Sequence, residues 1–126
     1  MDLCNERIAV NQELERVLRG GWLGLAETRR QLGFAFASAT ALDERECEAG
    51  LCVLEEEDGG LVLEKRGEGG PKLFGALPPR SAKTAAADFA KAAELAVRLV
   101  QIERTMDQTT KELKKQRDEI RNQTEE

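Results

Sequence analysis

Apolar side chains recur at steps of three and four along the C-terminal part of the chain. One row runs Ala85, Phe89, Ala92, Ala96, Leu99, Glu103, Met106, Thr110, Leu113, Arg117 and Ile120. A second row, Leu95, Leu99, Ile102, Met106, Thr109 and Leu113, lies beside it and widens the face. A helix striped in this way is marginal alone in water, so the stripe has to be covered by another helix. The spacing predicts a helix from Ser81 to about Asn122, on the order of 60 Å long and frayed over its last few residues. Pro78 and Pro79 stop any helix entering from upstream, and Ser81 offers an N-cap.

Val10, Leu14, Val17, Leu18, Trp22, Leu25 and Leu32 predict a first helix over about Asn5 to Phe36. Gly20, Gly21, Gly24 and Gly33 would weaken it, by about 1 kcal/mol each relative to Ala. Between the helices the period changes. LCVLEEE, DGG and LVLEKR read as two short strands around an Asp-Gly turn, followed by the connector GEGGP. The expected architecture is mainly α, a single domain over residues 1–126. It is an antiparallel two-helix coiled-coil hairpin, with an acidic loop and small β-hairpin inserted over about residues 43–70. Alanines in the long helix (Ala82, Ala85, Ala86, Ala92, Ala93 among them) permit close approach, with Trp22 filling the gap opposite them. From about Met106 onward the first helix is too short to cover the seam, leaving that end for another chain.

Composition and charge narrow the function. Aromatic residues make up 4% and charged residues 34% of the 126, which suits an elongated helical protein better than a compact globule. Histidine is absent, removing the commonest general base and transition-metal ligand. No Gly-rich phosphate loop with its Lys follows a strand. Neither catalysis nor a cofactor is therefore expected. Most of the net charge of −5 lies in the acidic middle segment, which argues against a nucleic-acid partner. The run Glu55 to Asp58 reads as a solvated hairpin tip, since adjacent carboxylates on a strand alternate faces and make a poor cation site. Cys47 and Cys52 lack a second ligand pair for zinc, and Cys4 stands apart. The sequence has no long apolar run and no basic-then-apolar leader, so a soluble chain made in the cytosol with reduced thiols is expected.

Two islands, GGWLGLAETRRQLG (Gly20 to Gly33) and LFGALPPRSAKTAAADF (Leu73 to Phe89), carry a family likeness. They resemble the signatures of the small coiled-coil vacuolar proton-ATPase (V-ATPase) assembly factors. Gly21-Trp22-Leu23, Leu25-Ala26 and Arg29 match the family's first-helix pattern. Phe74-Gly75, Leu77, Pro79 and Phe89 match the pattern that opens its second helix. Leu73 stands where the family usually has an aromatic, the first helix starts late, and the central insert is compact. The resemblance implies a non-enzymatic assembly chaperone for the membrane sector of the proton pump. It would act on the cytosolic face of the endoplasmic reticulum, peripheral to the membrane and held there by a small membrane-embedded partner.

Trp22, Leu73, Phe74, Leu77, Met106, Leu113 and Ile120 are the candidate partner-binding residues. Each has a simpler structural reading. Trp22 with Leu25 packs the core, and LFGALPP turns the chain and starts a helix. Two other functions share the helix, hairpin, helix order: a prefoldin-like chaperone subunit, and a coiled-coil tether or scaffold. Self-association through the long helix stays open.

Overall fold

The structure is a computed structural model, and it describes residues 2–33, 49–66 and 79–125. Helix α1 spans Leu3–Leu32, strands β1 and β2 span Leu51–Glu55 and Leu61–Lys65, and helix α2 spans Arg80–Glu125. The expected mainly helical fold with a small antiparallel hairpin between two helices is present.

The helix ends differ from the sequence expectation for local reasons. At the N-terminus Asp2 caps α1, its carboxylate accepting from Cys4 N–H at 3.1 Å, so the helix begins before Asn5. Gly33 closes it at φ 86°, a backbone conformation that suits glycine, and its N–H donates to the Arg29 carbonyl at 2.8 Å. The expected extension to Phe36 lies outside the described residues. Ser81 does not cap α2. The carbonyl of Pro79 accepts from Ala82 and Lys83 N–H instead, and the helix starts at Arg80. At its other end α2 continues to Glu125, beyond the expected stop at Asn122.

The two helices pack antiparallel. Thr28 meets Ser81 at one end, while Arg7 pairs with Glu103 at 3.0 Å and Glu6 with Arg98 at 3.1 Å near the other. On α1 the covered positions are Val10, Leu14, Val17, Gly21, Gly24 and Thr28. On α2 they are Ala82, Ala85, Phe89, Ala92, Leu95, Leu99, Ile102 and Met106. This second set begins on the first row read from the sequence and crosses to the other. Leu95 and Ile102 are buried, whereas Ala96 and Glu103 are exposed. The larger apolar side chains Leu95 and Ile102 thus take the contact in place of Ala96 and Glu103.

Gly21 and Gly24 sit inside this contact rather than merely weakening α1. A Cβ on Gly21 would stand 2.9 Å from the Phe89 ring, and one on Gly24 would stand 2.9 Å from Ala85 Cβ. Beside them Thr28 is fully buried, its hydroxyl 2.9 Å from the Gly24 carbonyl and 2.8 Å from Ser81 Oγ. A Thr28 hydroxyl donating to the carbonyl can accept from Ser81, which leaves neither group unpaired.

The hairpin closes through Glu56–Gly60, with Gly59 at φ 86° and the Asp58 carboxylate accepting from Gly60 N–H at 2.8 Å. Gln101 and Arg104 of α2 hold it. Gln101 Nε2 donates to the Leu61 carbonyl at 2.6 Å, and Arg104 reaches both Glu55 and the Gly59 carbonyl.

Candidate functional site

Trp22 does not fill the core. It is 63% exposed and rests edge-on against Phe89, with ring centroids 5.2 Å apart and an interplanar angle of 77°. The reason is helical phase: Gly21 points at α2 and Phe89 packs over it, so the neighbouring residue is turned away from the seam. Leu23, next in sequence, is 65% exposed. Trp22, Leu23, Leu14 and Leu18 line an open depression of about 720 Å³ along α1, edged by Asn11, Glu15 and Arg19. Arg19 and Glu15 pair with each other at 2.8 Å, one turn apart, which leaves the rim near neutral. A rigid helix presenting a half-anchored indole beside leucines is suited to receive an apolar segment of another protein. Its chemistry is burial, with the indole N–H and the side chains of Asn11, Glu15 and Arg19 as polar handles at the edge.

A second surface lies beyond the end of α1. Met106 is packed against the core cluster and so belongs to the helix pair. Past it every described residue of α2 is exposed, including Leu113 at 61% and Ile120 at 64%. Several polar side chains of this stretch are paired within the helix. The hydroxyls of Thr109 and Thr110 donate back to the carbonyls four residues earlier, and Lys111 pairs with Asp107 at 3.1 Å. The helix pair therefore ends in a single arm carrying two exposed apolar residues.

Trp22 and the arm do not converge. Trp22 lies on the same stretch of the pair as Phe89, whereas Leu113 and Ile120 lie past the opposite end of α1. Leu73, Phe74 and Leu77 lie outside the described residues. The exposure of Leu23 and the packing of Gly21 and Gly24 against α2 escaped the sequence reading. The signal for them was the spacing Val10, Leu14, Val17, Gly21, Gly24, Thr28, which alternates four and three and passes Trp22 by.

No family model, curated protein or solved structure matches the chain. Among the described residues no helix is long and apolar enough to cross a membrane. Among the same residues no group of three or more histidine, cysteine, aspartate or glutamate side chains could hold a metal ion.

Arg16 and Arg30 hydrogen-bond to Glu13 and Glu27, and hold both carboxyls below the ordinary value of 4.5. Both pairs are exposed one-turn contacts that favour the helical backbone.

Proposed function

We propose that this chain is a non-enzymatic assembly chaperone for the membrane sector of the vacuolar proton-ATPase. It acts beside a small membrane-embedded partner at the cytosolic face of the endoplasmic reticulum. The reading starts from the resemblance of the Gly21-Trp22-Leu23 and Phe74-Gly75 islands to that family. The observation that supports it is the exposure of Trp22 and Leu23 on a helix whose neighbouring glycines are packed inside. A large indole left uncovered while its neighbour is buried is better explained by a partner than by stability. The three-four spacing on both helices supports reading the pair as an antiparallel coiled coil that stiffens this face. In this mechanism the Trp22 face and the arm bearing Leu113 and Ile120 hold the membrane partner. Apolar surfaces of membrane-sector intermediates stay covered until their own contacts form.

The experiment is affinity purification of the tagged chain from detergent-solubilised cells, with partners identified by mass spectrometry. Recovery of proton-pump membrane-sector subunits with a small membrane protein of the endoplasmic reticulum, lost on the double change Trp22→Asp and Leu23→Asp, supports the proposal. Recovery that is indifferent to both changes removes Trp22 and Leu23 from the binding surface. The helix, hairpin, helix order also supports a prefoldin-like chaperone subunit. Recovery of prefoldin-type subunits with tubulin and actin would favour that reading.

A further inference from the structure

The two edges of the β-hairpin are unequal. Glu56 N–H donates to the Gly60 carbonyl and Arg66 N–H to the Gly50 carbonyl, in the register that pairs Val53 with Leu63. Even-numbered residues therefore bond across the ribbon, and odd-numbered residues turn their N–H and C=O groups outward. On β2 the outward carbonyl of Leu61 is taken by Gln101, so α2 abuts that edge at its Leu61 end and packs on β2 more than on β1. On β1 the outward residues are Leu51, Val53 and Glu55, and no described residue bonds to their backbone. Apolar side chains occupy both faces: Leu51, Val53, Leu61 and Leu63 on one, Leu54 and Val62 on the other. Val53 is 53% exposed. β1 carries no proline, no lysine and no bulge, and its single charge, Glu55, stands at the turn end of the strand.

We propose that β1 pairs with β1 of a second copy of this chain, antiparallel about a two-fold axis through Val53. The result is a four-stranded sheet in the order β2, β1, β1, β2. A second copy fits because the outward set Leu51, Val53 and Glu55 is symmetric about Val53. Val53 meets Val53, Leu51 meets Glu55, and each pair exchanges N–H···O bonds in both directions. Leu63 and Val53 of one copy then stand in one apolar row with Val53 and Leu63 of the other.

Charge favours the same arrangement. The carboxylates Glu55, Glu56, Glu57 and Asp58 of the two copies go to opposite ends of the sheet, where a parallel pairing would stack them. Glu55 falls in the same row as Lys65 of the other copy. Because α2 abuts β2 at Leu61, and the symmetric pairing uses up the β1 edge, the assembly closes at two copies. The dimer holds independently of the pump reading, and it would place two Trp22 faces and two arms on one particle. An interface of this kind is small and belongs to the weak, transient class.

Sedimentation equilibrium of the full chain over a micromolar to millimolar series tests it, together with amide exchange by NMR. The expected result is a monomer–dimer equilibrium in which Leu51, Val53 and Glu55 amides gain protection as concentration rises. Val53→Pro removes an outward N–H and leaves the ladder bonds within the hairpin intact, so it should abolish the dimer. A chain monomeric at every concentration, an assembly larger than two, or a dimer that survives Val53→Pro with the hairpin intact overturns the proposal. If Val53→Pro loses the hairpin, exchange in the unaltered chain decides. Protection of the three amides that does not change with concentration then overturns the pairing.

Discussion

Gly24→Ala is the sharpest probe of how the helix pair is built, because two effects of known size oppose each other at that residue. Within α1, replacing glycine by alanine favours the helix by about 1 kcal/mol through the entropy of the unfolded chain. Against α2, the new methyl would lie 2.9 Å from Ala85 Cβ and 3.2 Å from the Ser81 carbonyl oxygen. Neither neighbour is the free end of a flexible side chain, so the helices must separate by roughly half an ångström or more to restore ordinary contact. The same displacement stretches the 2.8 Å bond between Thr28 and Ser81 toward its limit. Overpacking costs about 1–3 kcal/mol and the weakened buried bond about 1 kcal/mol more, so repulsion exceeds the propensity gain. The net expectation is a loss of about 1–3 kcal/mol.

Gly20→Ala is the matched control, since its methyl would meet only the Asp88 carboxylate, at 3.1 Å, and that side chain can swing aside. It should stabilise by up to about 1 kcal/mol. Urea denaturation followed by helical circular dichroism, at one fixed protein concentration, measures both. If Gly24→Ala stabilises as much as Gly20→Ala, the close approach of α1 and α2 at Ala85 is not a feature of the protein in solution.

The exposed arm and the acid limb of stability supply two further tests. Leu113→Asp with Ile120→Asp should leave the unfolding free energy within about 0.5 kcal/mol of the parent, because both side chains face solvent. The same double change should reduce recovery of the membrane partner, and full recovery would take the arm out of the binding surface. Glu13 and Glu27 have folded-state pKa values below 4.5, caused first by the hydrogen bonds from Arg16 and Arg30. As pH falls the unfolded chain takes up these protons first. Their stabilisation is therefore complete above the ordinary carboxylate pKa and is lost as pH falls through the depressed folded values. Thermal melts from neutral to acid pH should show a shallower acid loss in the Glu13→Gln, Glu27→Gln double variant than in the parent. The difference should shrink in salt, as both pairs are exposed.

The sequence by itself determined the element order. Period three-four against period two separates α1 and α2 from the hairpin, and Asp58-Gly59 marks the turn. It also determined that α2 outruns its cover past Met106, because that follows from comparing two helix lengths. Apolar spacing reports these properties directly, since each depends on neighbours within a few residues.

Tertiary structure decided which face of each helix is used. The sequence offered two adjacent rows on α2, and only the presence of α1 selects Leu95 and Ile102 over Ala96 and Glu103. It reversed the role of Trp22. A lone tryptophan beside a stripe of alanines reads as core, but Gly21 occupies the seam and turns the indole outward against Phe89. It also moved Ser81 from a helix cap to a bond across the pair, and left β1, not β2, with the open edge. Each of these depends on a contact between residues dozens of positions apart. The phase of one helix against another is a small rotation that local propensity does not encode, and close packing fixes it.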